Sequence, residues 1–477
     1  MFSLLFLLLL CLIFPLLIFF HRHGTTKNLP PGPKGLPIIG NLHQLDISKL
    51  YLQLSEFSKI YGPIFSLQLG FRQAIVVSSG EIAKEVLKNK GDVFSNRPML
   101  YSQQKLTYNG SEMVFAPYGE VWRELRKICV FHIFSSKRVS YYSCIRKIEV
   151  KKMIKKISEH ASCSSNINLS ELLISLSSTI ICRIAFGKSY EDEGHERSRF
   201  HGLLHEFQAL LAEFFVADYI PYMGWIDKVR GLHGRVDRCF NEFDEFYQEI
   251  IDQHLDPNRE HGDEDVIVDV LLKLKKQNVS SIDLTFDHIK GVLVDMLVAA
   301  TDTTSATSVW TLTALIKNPR VMNKLQEEIR SIGVIKETLR LYLPAPLLVP
   351  RESSENCTIN GYNIPANTIL YVNAWAIQRD SDIWKNSEEF YPERFLENSI
   401  SFLGQNFELI PFGAGHRICP GLSMAVASIE LILANLLYSF DWKLPHGLVK
   451  EDIDTEMLTG ITQHKKNPLY LVAKSSM

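Results

Sequence analysis

Hydrophobic positions along this 477-residue chain change period several times, and each change marks an element. Residues 1–20 are almost unbroken Leu, Phe and Ile with no charge. At 1.5 Å per helical residue such a run just spans the hydrocarbon core of a bilayer. No charged segment precedes it, no small-x-small cleavage site follows it, and the positive residues Arg22, Lys27 and Lys34 come after it. That order predicts an uncleaved anchor with the following chain on the cytoplasmic side. Next comes Leu29-Pro30-Pro31-Gly32-Pro33-Lys34-Gly35-Leu36-Pro37, where fixed φ angles predict a stiff strut. Residues 64–70 and 73–78 run apolar or alternate around a Gly-Phe-Arg turn and predict a hairpin. Residues 120–315 carry mostly long helical patterns, ending in a helix over about 286–316. Strand signals return over 359–372, with turns at Asn360-Gly361 and Pro365, and a last apolar helix runs over 422–440. The polar stretches 261–265 and 273–281 predict exposed loops around a helix. The expected fold is mainly α with small β-sheets towards both ends. No internal boundary within 29–477 divides it.

Composition narrows the class. With 46% hydrophobic residues and a net charge of -2, the chain can bury a large core and offers no electrostatic ground for a nucleic-acid partner. Its eight cysteines, at 11, 129, 144, 163, 182, 239, 357 and 419, stand singly with no Cys-x-x-Cys pair. That pattern fits reduced thiols facing the cytosol, and not a disulfide framework or a zinc ribbon. The triplets at Asn109, Asn168, Asn278 and Asn356 matter for glycosylation only if the chain is lumenal.

Four constellations could carry chemistry. In Phe412-Gly413-Ala414-Gly415-His416-Arg417-Ile418-Cys419-Pro420-Gly421 one cysteine sits in a glycine-rich turn just before an apolar helix. Close backbone and a positive helix end stabilise a thiolate, which suits a metal ligand. A plain core cysteine is the alternative, but it needs neither the glycines nor the arginine. In Ala299-Ala300-Thr301-Asp302-Thr303-Thr304 an acid and alcohols interrupt an apolar helix, a costly placement unless they bond something useful. Asp302 beside Thr303 could relay protons; a hydroxyl bonded back to its own helix is the alternative. Glu337 and Arg340, three apart, share a helix face and can pair. So do Trp122 and Arg126, four apart, for which a cation–π pair is the alternative. Arg123, Lys127, Lys137 and Arg138 lie towards the other side and could form a basic surface or a merely solvated face.

Taken together, these motifs resemble the cytochrome P450 monooxygenases, and their order matches: hinge, Trp-x-x-x-Arg, Asp-Thr helix, Glu-x-x-Arg, Pro-Glu-Arg-Phe at 392–395, cysteine loop. The wording Pro-Pro-Gly-Pro, Pro-Glu-Arg-Phe and Pro-Phe-Gly-Ala-Gly is similar to the plant A-type group, near its seventy-one and eighty-three families. The resemblance implies the haem-thiolate fold with an N-terminal membrane anchor helix. Its parts would be an anchor at 1–20, a basic, proline-rich hinge at 21–37 and the catalytic domain at 38–477. It implies haem b with Cys419 as iron ligand, Phe412 and Gly421 in the binding loop, and Trp122, Arg126, Arg351 and Arg417 as propionate donors. Thr303 would be the relay alcohol and Asp302 its acid, with Ala300 where the family usually has glycine. Glu337, Arg340 and Arg394 would form a buried triad behind the haem. Electrons would come from NADPH through the membrane-bound NADPH-cytochrome P450 reductase, docked on the basic surface. The expected activity is insertion of one oxygen atom from O2 into a lipophilic small molecule of plant specialised metabolism. The expected place is the endoplasmic reticulum membrane, single-pass, with the catalytic domain facing the cytosol.

The chain departs from that pattern at Glu327-Glu328-Ile329-Arg330-Ser331-Ile332-Gly333-Val334-Ile335-Lys336-Glu337. The resemblance implies roughly twenty further residues here, enough for a helix and its loops. Without them Gly333 is expected to make the turn, with strain on the Glu337–Arg340–Arg394 support and reduced haem retention. A catalytically impaired splice or gene-model variant and a non-catalytic membrane protein are therefore the competing readings. An oxygen-independent haem isomerase or dehydratase is disfavoured by Asp302-Thr303.

Overall fold

A computed structural model describes residues 28–163, 165–190, 194–259, 265–328, 331–396, 398–458 and 460–475. The expected anchor at 1–20 and residues 21–27 of the expected hinge lie outside them. Helix α1 (Leu50–Tyr61) precedes the predicted hairpin, strands β1 (Ile64–Leu69) and β2 (Arg72–Val77), which pair from Ile64 opposite Val77 to Leu69 opposite Arg72. Helices α2 (Glu120–Ile128) and α3 (Ser143–Ser162) lead to strand β3 (Asn166–Asn168), then α4 (Leu169–Phe186), α5 (Gly194–Ala212), α6 (Leu232–Leu255) and α7 (Ile267–Gln277). The long helix α8 (Phe286–Lys317) is followed by α9 (Pro319–Glu328) and α10 (Ser331–Leu341). Short strands β4 (Arg351–Glu352), β5 (Cys357–Ile359), β6 (Tyr362–Ile364) and β7 (Ile369–Val372) come next. Helix α11 (Leu422–Ser439) and strands β8 (Phe440–Lys443), β9 (Met457–Leu458), β10 (His464–Lys465) and β11 (Tyr470–Ser475) close the chain.

The expected class is borne out: helices dominate, and the strands form small sheets ordered β1-β2-β7-β4, β3-β11-β8, β10-β9 and β5-β6. Strands β2 and β7 pair in parallel although nearly 300 mostly helical residues separate them, so the first sheet joins an early segment of the chain to a late one. Helix α8 runs through the middle and packs along α4, α10 and α11. Its start is set by a capping box, in which Thr285 Oγ1 accepts from His288 N–H and His288 Nδ1 accepts from Thr285 N–H. It ends where Pro319 opens the next helix, since proline cannot continue a helix but suits its first turn. Side chains along α8 are buried almost throughout; Ala299, at its middle, is exposed. A buried helix that exposes one small residue at mid-length borders an internal space.

Three expectations change. Residues 273–277 belong to α7 and not to a loop, because Leu271 and Leu274 are buried and hold that turn to the core. Gly333 does not make the turn: it lies within α10, without a positive φ, and residues 329–330, between α9 and α10, lie outside the described residues. The proline-rich segment is bound along the first sheet. Ser66 N–H donates to Pro31 O at 2.8 Å, and a Cβ on Gly32 would stand 2.0 Å from Ser66 O.

Candidate active site

The cysteine loop is shaped by two left-handed glycines, Gly413 at φ +68° and Gly415 at φ +69°. At Gly415 a Cβ would stand 1.9 Å from Leu87 O, so the loop approaches its neighbour as only glycine allows. The turn returns on itself, with Cys419 N–H donating to Phe412 O at 2.9 Å. The ring of Phe412 packs edge-on against Phe402, with centroids 5.5 Å apart. Cys419 ends up just before α11, partly open to the interior. Burial raises its thiol above the ordinary range, while the Gly421 and Leu422 amides and the Arg126 guanidinium act in the opposite direction. A bound cation would complete that tilt, because metal coordination deprotonates a thiol outright. A methyl on Gly421 would meet Phe134 at 3.7 Å and Cys419 Sγ at 4.0 Å, ordinary contacts, so Gly421 is not needed for space. Gly415→Ala is different. The left-handed backbone alone costs about 1–2 kcal/mol, and the clash adds to it. Denaturant unfolding of that variant should show a lowered midpoint, whereas Gly421→Ala should unfold like the parent.

Beside the loop, four arginines gather in the interior. Arg417 donates from Nε to Ser95 O at 2.8 Å and from Nη1 to Met113 O at 3.1 Å. Arg351 Nη2 donates to Ala414 O at 2.9 Å, and Arg126 Nη2 donates to Ile418 O. The fourth is Arg97, which donates to Val114 O, Val349 O and Pro350 O at 2.6–2.7 Å. Sequence reading missed it, since a single arginine before Pro98 carries no periodic signal; only its burial marks it. Burial lowers all four from the usual guanidinium range. Arg351 is pushed down to about 9, with Arg417 and Arg126 adding to burial. Arg417 is pushed down to about 10, Glu112 opposing the shift. Glu112 is the one carboxylate that offsets both Arg97 and Arg417. The Glu112 carboxylate accepts from Phe115 N–H at 2.7 Å, and burial and Glu112 hold the neighbouring Asp295 carboxyl well above its ordinary range. Buried guanidiniums in such excess call for anions, and a ligand bearing two carboxylates fits them.

Trp122 lies against that set and shares an acceptor with it, since Met113 O also accepts from Arg417. Its indole N–H donates to Met113 O at 3.0 Å, and its ring lies under Arg417, 4.5 Å from the guanidinium carbon. Its ring thereby supports the guanidinium of Arg417.

Behind the loop the predicted triad is assembled. Arg340 Nε and Nη2 donate to the Glu337 carboxylate at 2.7 and 2.9 Å, and Arg394 Nε donates to it at 3.1 Å. Both Glu337 and Arg340 are fully buried. Gln378, which sequence reading missed, carries the link onward: its Nε2 donates to Leu339 O at 2.9 Å and its Oε1 accepts from Ile410 N–H at 3.0 Å, at the entry to the cysteine loop. Between α9, α10 and the 392–396 turn lies a cleft lined by Val321, Leu325, Gly333, Val334, Pro392 and Leu396, and the triad beside it is closed.

Across the interior, Asp302 and Thr303 engage different partners. Thr303 Oγ1 donates to Ala299 O at 2.7 Å, on the exposed face of α8. Asp302 is buried, and its Oδ1 sits 2.6 Å from Nε2 of His464 on β10, a residue that belongs to none of the motifs.

The Cytochrome P450 family model matches residues 30–332 and 333–472, dividing at the shortened connection. The chain is similar to cytochrome P450 71A9 of Glycine max, at 46% identity over 93% of each chain. It is 45% identical to strychnine-11-hydroxylase of Strychnos nux-vomica, covering 94% of this chain and 91% of that one. It is also 42% identical to 6,7,8-trihydroxycoumarin synthase of Pastinaca sativa, covering 98% and 99%. The first alignment spans 467 positions while covering 93% of a 477-residue chain, which is roughly twenty more positions than chain residues, as the expected gap requires.

Proposed function

This chain belongs to the cytochrome P450 family, in its plant A-type group, and from that premise we propose that Cys419 is its iron ligand. It is a haem-thiolate monooxygenase, with haem b as cofactor, a redox partner that delivers NADPH electrons and a lipophilic substrate. Haem held by a thiolate supplies the oxygen chemistry: one atom of O2 enters the substrate, and the other leaves as water with two electrons and two protons.

The chain's own residues bind and position. Arg97, Arg126, Arg351 and Arg417 hold the propionates, with Trp122 orienting Arg417. The buried guanidinium excess gathered on the backbone of the cysteine loop is the observation that carries this reading. Phe412 and Gly421 shape the loop around the sulfur. Glu337, Arg340 and Arg394 fix that loop's backbone through Gln378. Thr303 presents a hydroxyl and Asp302 an acid on the opposite helix.

Residues 1–20 serve as anchor, 21–37 as hinge and 38–477 as catalytic domain. The anchor holds a single-pass protein in the endoplasmic reticulum with its catalytic domain in the cytosol. NADPH-cytochrome P450 reductase is the donor, approaching the basic side of α2, where Arg123 and Lys127 lie. The substrate is a lipophilic small molecule of plant specialised metabolism.

The gap before Glu337 favours a second reading, an impaired form. The two are separated by the carbon monoxide difference spectrum of the reduced, full-length protein. A thiolate-type band with near-stoichiometric haem is the expected result, since the triad is closed despite the short connection. Absence of any haem signal would establish the impaired form. Ligand-induced spin-state shifts across a lipophilic compound panel then identify the substrate class.

A further inference from the structure

The buried acid of α8 is held from outside its own helix. Among the described residues, His464 is the hydrogen-bond partner of the Asp302 carboxylate, 162 positions away in the chain, at 2.6 Å. The two differ in access: the Asp302 side chain is 9% exposed and that of His464 30%. His464 is itself placed by a rigid surround. Strand β10 pairs with β9, so that His464 lies opposite Leu458. The preceding residue is tied to α8 by Trp310 Nε1 donating to Gln463 O at 2.9 Å. Gln463 N–H donates in turn to Pro344 O at 2.8 Å. On the other side, Lys465 Nζ reaches Asp454 Oδ2 at 2.7 Å. The imidazole therefore approaches Asp302 from a backbone fixed at both ends, as a positioning group must.

We propose that His464 is the positioning residue of Asp302 and its hydrogen-bonded link to solvent, through which protons reach the Thr303 side of α8. This rests on the monooxygenase reading above. A proton taken up from water at Nδ1 is matched by one released from Nε2 to Oδ1, so the imidazole ends the step in its other neutral tautomer. No electron moves in this step. With His464 removed, the buried carboxylate loses its partner and its route to water, and proton supply falls behind electron supply.

The test uses the full-length holoprotein in phospholipid vesicles with reductase, NADPH and O2, without added substrate. Oxygen then ends as hydrogen peroxide (NADPH + H⁺ + O2 → NADP⁺ + H2O2) or as water (2 NADPH + 2 H⁺ + O2 → 2 NADP⁺ + 2 H2O). For His464→Ala, the peroxide share should rise several-fold and the effect of D2O on NADPH consumption should increase. His464→Gln, whose amide can still bond Asp302 but cannot pass a proton on, should raise the peroxide share less than His464→Ala while showing the same enlarged D2O effect. In the Asp302→Asn background His464→Ala should add little, because the two residues act as one unit. A readout independent of turnover is infrared difference spectroscopy of the ferric protein. The carboxylate band missing from Asp302→Asn should shift in His464→Ala. Unchanged peroxide share and D2O effect would overturn the proposal, as would full additivity with Asp302→Asn or an unmoved carboxylate band. Loss of haem in both His464 variants would also overturn it, in favour of a purely structural tie. Failure of the monooxygenase reading looks different, since the parent itself would then hold no haem.

Discussion

Replacing Cys419 by alanine is expected to abolish the thiolate-type carbon monoxide band and all oxygen insertion, while leaving the fold in place. The reason is local. The Cys419 side chain is small and only partly buried, and the loop is held chiefly by its backbone, through Cys419 N–H to Phe412 O at 2.9 Å and Gly413 N–H to Ile410 O at 2.9 Å. Removing a small, partly exposed sulfur costs little packing, so the unfolding midpoint should stay near that of the parent. The same change takes away the sulfur that the loop offers as ligand. Cys419→Ser provides the graded comparison: a hydroxyl fills the space but does not ionise there, so haem held in the arginine cradle would carry no thiolate signature. A variant lacking Cys419 that retains the thiolate band would sink the assignment.

Glu337→Ala should be nearly as damaging, by the opposite route. Glu337 and Arg340 are fully buried, and Arg394 closes the group at 3.1 Å. Removing one member of a buried ion pair leaves an uncompensated charge, at a cost of about 3–5 kcal/mol. That is a large part of the stability of an ordinary domain. Arg340 also holds three carbonyls, those of Gln378, Ser387 and Glu389, and Gln378 in turn braces Ile410. The damage should therefore travel to the cysteine loop and show as lost haem, not only as a lowered midpoint. The haem-to-protein ratio of purified protein and its thermal unfolding measure the two effects. A variant that keeps full haem and its parent midpoint would show that the triad does not support the loop. The same experiment bears on the shortened connection. The sequence pattern leads to an expectation of strain at the triad, yet the helix carrying Glu337 and Arg340 meets Arg394 at bonding distance. Despite the shorter chain between them, α10 stays beside the segment that holds Arg394.

Much of the site is legible in the amino-acid sequence. Within ten residues the cysteine loop carries its glycines, its arginine and its sulfur, and the helix behind it follows directly. Such a signal survives in one dimension because the chemistry and the turn that presents it are neighbours along the chain. The helix spans over 286–316 and 422–440 and the hairpin at 64–78 are legible for the same reason, through period and turn residues. Glu337 and Arg340, three apart on one helix, belong to this class, and so does the gap before them.

Other features need the tertiary structure. Trp122 has the spacing to share a face with Arg126, but only the fold sets its ring under Arg417 and its indole N–H against Met113 O. Arg97 joins the cradle without any sequence signal, and Glu112 emerges as its internal counter-charge. Asp302 reads as the partner of Thr303 because the two are adjacent in sequence. On a helix, adjacent side chains point about 100° apart, so one faces the interior space and the other meets His464. The sequence alone determined the haem-thiolate class, through a motif whose parts are covalent neighbours. Which groups bond the acid, which guanidiniums share the cradle and what braces the loop were decided by packing, because those partners lie tens to hundreds of residues apart and are chosen only when burial forces every polar group to find one.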